Sequence, residues 1–261
     1  MIFNFQDLPD IDVKQLLDIA KAAGNAILKV YNASPDEMQV TAKEDASPLT
    51  IADSRSHDII FEALTTLTPH IPVISEEGKD IPYETRVNWE YFWCVDPLDG
   101  TKEFIKHNGE FTVNIALIYK NSPILGIIYV PVSRELYYGG AIIGSWKEDA
   151  DGVKQELHAD KEAKSWVAVA SRSHSSEKES AILSKYPVAE TVSAGSSLKF
   201  CLIAEGKAHI YYRHGPTMEW DTAAGQAIAT YSGATMTTPE GEPFRYNKPS
   251  LLNSGFLCVV K

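Results

Sequence analysis

Two aspartates stand three positions apart at the end of an apolar segment, an arrangement that can hold cations. Asp96 and Asp99 follow the aromatic and β-branched residues 91–95, and Gly100 comes directly after them. Segment 91–95 predicts a buried strand that stops in a turn at Asp96. Thr101 opens a short helical pattern, so the backbone N–H groups of Gly100 and Thr101 can face an anion beside the carboxylates. The stretch favours a metal-bound phosphate, although an ordinary acidic turn uses the same residue types.

Acids elsewhere in the chain also stand where predicted strands end or predicted helices begin. Asp53 falls in the first turn of a helix, where a capping box with Thr50 is the structural alternative. Glu76 and Glu77 follow an apolar strand, where a solvated loop is the alternative. Asp221 lies in another first turn, where the helix dipole alone favours a carboxylate. Ligation by oxygen alone indicates Mg²⁺ or a similar hard ion, and two such ions favour hydrolysis of a phosphate ester.

Composition limits the classes of protein to which the chain can belong. Its 261 residues allow one large domain or two modest ones, and a net charge of −11 argues against a nucleic-acid partner. Cys94, Cys201 and Cys258 lack metal-ligand spacing, which predicts reduced cysteines in a cytoplasmic protein. We find no signal-like start and no apolar run long enough to span a membrane. A peripheral contact with the inner membrane stays open, and no partner protein is evident.

The elements that must position these acids follow from hydrophobic periodicity. The pattern predicts a first helix over 12–31 and a second that carries Asp53, then an antiparallel meander. Segment 146–164 is charged and rich in turn residues, so it is either an exposed hairpin or a subdomain boundary. We expect residues 1–160 to form an α+β part with most metal ligands and residues 161–261 an α/β part that completes the cleft. The predicted strands are 91–95, 111–119, 124–130, 135–139, 166–170, 208–212 and 257–260, and further helices are predicted at about 198–205 and from about 220.

Two motifs, read together, are similar to a known family. Asp-Pro-Leu-Asp-Gly-Thr at 96–101 and Trp-Asp-Thr-Ala-Ala-Gly at 220–225 resemble the paired signature of the inositol monophosphatase superfamily of Mg²⁺-dependent, Li⁺-sensitive phosphatases. Segments 45–53 and 75–77 also match its upstream motifs, so the resemblance covers nearly the whole chain. Segments 102–117 and 215–221 resemble the CysQ-type 3'(2'),5'-bisphosphate nucleotidases in particular. The resemblance implies an α/β (α+β) sugar-phosphatase fold with alternating layers of helix and sheet.

The resemblance also implies a set of metal ligands. Glu76, Asp96 and the Leu98 carbonyl would bind one Mg²⁺, and Asp96, Asp99 and Asp221 would bind another. The family uses two or three such ions.

The same resemblance implies the residues that act on the substrate. Asp53 and Thr101 would orient and deprotonate the attacking water, while the N–H groups of Gly100 and Thr101 would hold the scissile phosphate. For His174 an exposed loop histidine is the alternative, and for Arg213 a structural ion pair is. The residues implied on the nucleotide side are Ser171, His174, Ser196, Lys199 and Arg213.

The implied function is removal of the 3'-phosphate from 3'-phosphoadenosine 5'-phosphate, which gives AMP and phosphate. The sulfated relative of this nucleotide would be a second substrate, and the reaction would belong to sulfur assimilation. One alternative is an inositol or sugar monophosphatase, which needs no subsite for a second anion. Another is a catalytically silent regulator that binds metal and nucleotide, but such a protein has no need for a water-activating pair at Asp53 and Thr101.

Overall fold

The computed structural model describes residues 1–8, 10–33, 41–42, 48–170 and 177–260. Helices and strands alternate through these ranges, and none of the helices described there is both long and apolar enough to cross a membrane. The helices are α1 Val13–Tyr31, α2 Ile51–Leu67, α3 Tyr83–Arg86, α4 Thr101–Ile105, α5 Glu177–Leu183, α6 Leu198–Ala204 and α7 Glu219–Ser232.

The strands vary from two residues to nine. They are β1 Ile2–Phe3, β2 Ile11–Asp12, β3 Thr41–Ala42, β4 Pro48–Leu49, β5 Val73–Ser75, β6 Tyr91–Asp99, β7 Thr112–Tyr119, β8 Ser122–Val130, β9 Glu135–Gly140, β10 Gly144–Glu148, β11 Lys154–Glu156, β12 Trp166–Ala170, β13 Val188–Ser193, β14 Ile210–Arg213, β15 Thr217–Met218, β16 Ala234–Thr237, β17 Leu252–Asn253 and β18 Phe256–Val260.

Two large sheets contain most of the strands. The first has seven strands in the order β11-β10-β9-β8-β7-β6-β5, antiparallel except for the parallel pair β5 and β6. The second has five strands in the order β13-β12-β14-β18-β16, with β12 parallel to both of its neighbours. Parallel β5 and β6 end at the same edge of the first sheet, so the residues that follow them lie close together.

The two faces of the first sheet belong to different hydrophobic cores. Trp93 and Val95 of β6 pack with α1 and α2, whereas Phe92 and Cys94 pack with α6, α7 and the second sheet. A third, smaller cluster lies on the other face of the second sheet, where Leu183 of α5 packs. Helix and sheet layers therefore alternate through the molecule, which confirms the predicted fold class. The division into parts at residue 160 stays a prediction.

The first predicted helix differs from α1 by a single residue. Asp12 is the N-cap, and its side chain accepts a hydrogen bond from the backbone N–H of Lys14. A short side-chain acceptor at this position satisfies a donor that the helix leaves unpaired. Val13, Leu16, Ala20 and other residues at helical spacing form the buried stripe that the sequence predicts.

Strand β6 is longer than predicted, because it continues to Asp99 instead of stopping at Asp96. Asp96 is paired with Asn114 and Asp99 with Thr112, and the register shifts between these two pairs. Pro97 lies in the shifted segment, where its missing N–H donor does no harm to the ladder. The prediction of a turn at Asp96 was therefore wrong, since pairing with β7 holds both aspartates in a strand.

Other differences from the predicted elements are smaller. Strand β8 begins at Ser122, two residues earlier than predicted, so Lys120 and Asn121 alone form the turn after β7. Both residues have positive φ, as a type I′ hairpin turn requires. Segment 146–164 contains the antiparallel hairpin of β10 and β11, the first of the two predicted alternatives. Helix α5 and strand β16 were not predicted.

Close packing of β8 against α7 gives a stability prediction at Gly126. A Cβ atom there would lie 2.4 Å from the Ala224 carbonyl oxygen and 2.8 Å from the Ala227 Cβ. We expect Gly126→Ala to lower the free energy of unfolding by about 3 kcal/mol, the upper end for overpacking, because backbone atoms cannot move aside cheaply. Gly241→Ala is the control, since no atom of the described residues beyond its chain neighbours lies within 4 Å of a Cβ placed there and its positive φ alone costs ~1 kcal/mol. Equal losses in the two variants, measured by denaturant unfolding, would contradict the packing argument.

Candidate active site

The structure brings four predicted acids to one edge of the first sheet. Asp96 and Asp99 come from the end of β6, and Glu76 directly follows β5, with its N–H donating to the Val95 carbonyl at 3.1 Å. Asp221 reaches the same place from the first turn of α7. Glu76, Asp99 and Asp221 all act electrostatically on the Asp96 carboxyl. The convergence expected from strand ends and a helix start is therefore present.

Asp96 and Asp221 are each held by a backbone donor nearby in the chain. The Leu98 N–H donates to Asp96 Oδ1 at 3.0 Å, and the Met218 N–H donates to Asp221 Oδ2 at 2.7 Å. Asp96 is only 1% exposed. These bonds fix the orientation of each carboxylate without neutralising it.

Asp99 has side-chain partners that the sequence did not reveal. Asn114 Nδ2 donates to Asp99 Oδ2 at 3.2 Å, and Ser197 Oγ donates to the same oxygen at 2.8 Å. Ser197 Oγ also lies 3.0 Å from the Asp221 carbonyl oxygen, so one serine contacts both elements. The only signal for Asn114 is that a polar residue interrupts the buried strand β7.

Burial and mutual repulsion disfavour the charged forms of these acids. Burial raises the pKa of Asp96 well above its usual range, and Glu76, Asp99 and Asp221 raise it further. Burial also raises the pKa of Asp99, partly offset by Lys199 and by the donors Ser197 and Asn114. The pKa of Asp221 rises to about 8, first through burial and then through the charge of Asp99. A cation bound among these groups would reverse the effect.

The donor set fits a hard cation in its chemistry. In the part of the chain that the structure describes, no three His, Cys, Asp or Glu side chains already form a metal cluster. The donors are nevertheless carboxylates, and the nearby Leu98 carbonyl oxygen lies 3.5 Å from Thr101 Oγ1. Mg²⁺ prefers oxygen donors, and its charge would offset the repulsion between these carboxylates.

Asp53 and Thr101 are in contact. Thr101 Oγ1 donates to Asp53 Oδ1 at 3.2 Å. Asp53 Oδ2 accepts from the Thr50 N–H at 2.8 Å and from Thr50 Oγ1 at 2.6 Å, which completes the capping box. The capping alternative is thus present together with the predicted pair, because the two oxygens of one carboxylate take different partners.

Gly100 occupies a position that no other residue fits easily. Its φ is +94°, and a Cβ atom would lie 3.2 Å from the Glu110 carbonyl oxygen and 3.3 Å from the Ser196 Cβ. Thr101 then starts the five-residue helix α4. The role of these two N–H groups toward a phosphate stays a prediction.

One cavity joins the acids to the predicted cationic residues. It is lined by Asp99, Gly100, Ser196, Lys199, Arg213 and Asp221, among others.

Lys199 is almost fully buried in the wall of this cavity. Its Nζ donates to the Ser196 carbonyl at 2.6 Å and to the Ala194 carbonyl at 3.2 Å. Burial lowers its pKa to about 8, although Asp99 raises it and Arg213 lowers it further. Lys199 therefore supports the loop before α6, in which Ser196 has a φ of +37° and donates to the Glu110 carbonyl at 3.0 Å.

Arg213 stands at the end of β14 with unused donor capacity. Its Nε is buried and has no hydrogen-bond partner among the described residues. The structural ion pair considered for this residue is absent from the described part of the chain. Ser171, His174 and the start of the 45–53 motif lie outside the described residues.

Comparison with known proteins agrees with this geometry. The model of the inositol monophosphatase family matches residues 12–256. The chain is 48% identical to the 3'(2'),5'-bisphosphate nucleotidase CysQ of Salmonella typhimurium over 249 residues, which cover 95% of this chain and 99% of that protein. It is 36% identical to the protein of the same name from Haemophilus influenzae over 253 residues, 95% of this chain and 92% of that protein.

Solved structures lead to the same family. The crystal structure of CysQ from Bacteroides thetaiotaomicron aligns with a TM-score of 0.81 at 41% identity, covering 95% of this chain and 96% of that chain. The extragenic suppressor protein SuhB of Bartonella henselae shares the fold, with a TM-score of 0.76 at 22% identity over 95% of this chain and 93% of that chain. The chain belongs to the inositol monophosphatase family.

Proposed function

We propose that the chain is a Mg²⁺-dependent 3'(2'),5'-bisphosphate nucleotidase that hydrolyses the 3'-phosphate of 3'-phosphoadenosine 5'-phosphate. The observation that carries the proposal is the cavity in which the carboxylates Asp99 and Asp221 face the cations Lys199 and Arg213. A metal site beside a cationic subsite suits a substrate with two phosphates, one to be cleaved and one to be held. The relatives at 48% identity carry the same activity in their names.

The metal ligands are part of this proposal. Glu76, Asp96 and the Leu98 carbonyl would hold one Mg²⁺, and Asp96, Asp99 and Asp221 another, with two or three ions in all. Bound Mg²⁺ would neutralise the carboxylates and the charge that develops on the phosphate oxygens. Asn114 and Ser197 would keep Asp99 in place, as they do in the structure.

Asp53 and Thr101 would activate the water. A proton passes from water to Thr101 Oγ1 while the Thr101 hydroxyl proton moves to Asp53 Oδ1, along the hydrogen bond already present. The water oxygen forms a bond to phosphorus, the bond from phosphorus to the 3'-oxygen breaks, and its electron pair stays on that oxygen. The 3'-oxygen then takes up a proton from solvent, and Asp53 releases its proton to solvent. The products are AMP and inorganic phosphate. The N–H groups of Gly100 and Thr101 would hold the phosphate during this step.

The second phosphate would bind at Arg213. The Arg213 guanidinium lines the cavity and can donate charge-assisted hydrogen bonds, and its buried Nε has no partner among the described residues, whereas Lys199 Nζ is engaged with two carbonyl groups. Lys199 would contribute its charge, Ser196 would line the subsite, and Ser171 and His174 would complete it. The sulfated relative would fit the same subsite, which connects the enzyme to sulfur assimilation.

The alternatives have less support. An inositol or sugar monophosphatase has no use for a second anion subsite, and a silent regulator has no use for the hydrogen-bonded pair of Asp53 and Thr101. The cytoplasm is the proposed location, which agrees with three buried free cysteines. The described residues give no support to peripheral membrane contact, and it is not part of the proposal.

Activity should require Mg²⁺ and should be blocked by Li⁺. Without a cation, the buried acids repel one another and cannot hold a phosphate. Release of phosphate from 3'-phosphoadenosine 5'-phosphate would be measured with Mg²⁺, with excess EDTA, and with added Li⁺. AMP, inositol 1-phosphate and fructose 1,6-bisphosphate are the comparison substrates. Full turnover in EDTA would remove the metal from the proposal, and preference for inositol 1-phosphate would favour the first alternative.

Asp96→Asn should abolish activity without weakening the metal-free fold. The folded protein raises the pKa of this carboxyl, so ionisation destabilises the fold, and stability falls as the pH rises above about 4. The amide removes a group whose ionisation the fold disfavours, so in EDTA at pH 7–8 the variant should unfold at the wild-type temperature or above it. Thermal unfolding in EDTA from pH 4 to 8 provides the measurement. A variant that loses stability in parallel with activity would show that Asp96 is structural.

Arg213→Ala should separate the bisphosphate from substrates with a single phosphate. A charge-assisted contact to phosphate contributes roughly 1.5–3 kcal/mol, so kcat/KM for 3'-phosphoadenosine 5'-phosphate should fall about 10- to 150-fold. Hydrolysis of 2'- or 3'-AMP should change little. Arg213→Lys serves as the matched variant, since it keeps the charge but not the planar fork. A parallel loss with both kinds of substrate would assign Arg213 to the scaffold.

A further inference from the structure

Glu219 is a fully buried carboxylate, two residues before Asp221, for which the proposed mechanism has no role. Its Oε1 accepts from Lys248 Nζ at 2.5 Å and from the Lys248 N–H at 3.0 Å. Its Oε2 accepts from the Asn247 N–H at 2.7 Å. The Glu219 side chain is 0% exposed and that of Lys248 is 32% exposed. Burying a charge is costly unless it is paired and hydrogen-bonded, and here both conditions are met.

The contacts around Glu219 fix the backbone of the turn that carries Asp221. The Glu219 N–H donates to the Leu251 carbonyl at 2.9 Å. Asn253 Nδ2 donates to the Met218 carbonyl at 2.8 Å, and Lys248 Nζ donates to Asn253 Oδ1 at 2.9 Å. The pair of Glu219 and Lys248 therefore holds Met218 in place through Asn253. The Met218 N–H in turn donates to Asp221 Oδ2.

The same segment is tied to the other side of the acid cluster by Arg86. The buried guanidinium donates to Asn247 Oδ1 at 2.8 Å and to the carbonyl groups of residues 248 and 249 at 2.6 and 2.9 Å. Asn247 Nδ2 returns a hydrogen bond to the Arg86 carbonyl at 2.7 Å. Arg86 lines a small cavity together with Glu76 and Trp220. The network therefore reaches from the loop after Glu76 to the start of α7.

We propose that Glu219, paired with Lys248, is a positioning residue that holds Asp221 beside Asp96 and Asp99 for Mg²⁺ binding. Apolar residues in these places could stabilise the fold as well or better, whereas a fully paired buried network selects one geometry of the backbone. Such a constraint matters at the start of α7, where the proposed metal ligand Asp221 must face Asp96 and Asp99 on β6. The inference rests on the proposed metal site.

The test is metal affinity in the absence of substrate. Glu219→Gln keeps the shape but turns one acceptor into an NH₂ group that faces an N–H or ammonium donor. We expect Mg²⁺ affinity to fall about 10-fold, measured by the rise of the unfolding temperature during Mg²⁺ titration. In turnover assays, kcat should recover at high Mg²⁺, while KM for 3'-phosphoadenosine 5'-phosphate at saturating Mg²⁺ stays within about twofold.

The matched control is Glu205→Gln. Glu205 is a largely buried carboxylate that accepts from Tyr137 Oη at 2.6 Å and pairs with Lys147 at 3.5 Å, next to none of the proposed ligands. We expect it to lower the unfolding temperature in EDTA but to leave Mg²⁺ affinity unchanged. If Glu219→Gln does not fold, Lys248→Met takes its place, because it removes the cation and keeps the backbone donors.

The outcomes separate the two levels of the argument. If Mg²⁺ does not change the unfolding temperature of the wild-type protein, the proposed metal site and this inference are both overturned. If Mg²⁺ raises the unfolding temperature of the wild-type protein and of Glu219→Gln equally, only the positioning role is overturned. The same holds if Glu205→Gln loses this rise as much as Glu219→Gln does.

Discussion

The structure depends on keeping like charges together in a buried place. Asp96 is buried and Asp99 and Asp221 are half-buried; Asp99 and Asp221 both raise the pKa of Asp96, and Asp99 also raises that of Asp221. Strand pairing places Asp96 and Asp99 at one edge of the first sheet. Helix α7, which packs on one face of that sheet, supplies Asp221. The groups that hold them are backbone N–H groups and neutral side chains, which orient the carboxylates but leave the excess negative charge in place. An arrangement of this kind destabilises the fold unless a cation neutralises the carboxylates, and it therefore favours the binding of a cation.

The positive side of the cavity is divided between two different tasks. Lys199 is buried and donates to carbonyl groups of the loop before α6, so its main contribution is to shape that loop and to offset the charge of Asp99. Arg213 lines the cavity, and its buried Nε has no hydrogen-bond partner among the described residues. In the proposed function, one phosphate of the substrate would bind at the carboxylates and the other at this guanidinium.

The sequence predicts those parts of the site that follow from local pattern. Glu76 and Asp221 could be placed because strand ends and first helical turns are recognisable in a sequence, and Asp96 because it directly follows the apolar segment 91–95. The extension of β6 to Asp99 could not, since it depends on pairing with Thr112 and Asn114 across the sheet. Partners from distant segments, such as Ser197 for Asp99 and the Arg86 network around Glu219, leave no periodic signal. Such contacts are decided by tertiary packing, which a single sequence does not display.

Two of the carboxylates with a proposed role in the site also cap helices. Asp53 and Asp221 both stand at the third position of a helix and accept from the backbone N–H of the N-cap residue through Oδ2. A cap bond of this kind holds the carboxylate in one orientation and leaves its second oxygen for another partner, as Thr101 shows at Asp53. The helix itself therefore gives the side chain of an N3 acid a first orientation, and at Asp221 the network around Glu219 holds Met218, the residue that supplies the cap donor. A cap and the proposed role are therefore compatible at such a position, because the cap fixes the orientation of the carboxylate that the proposed role needs.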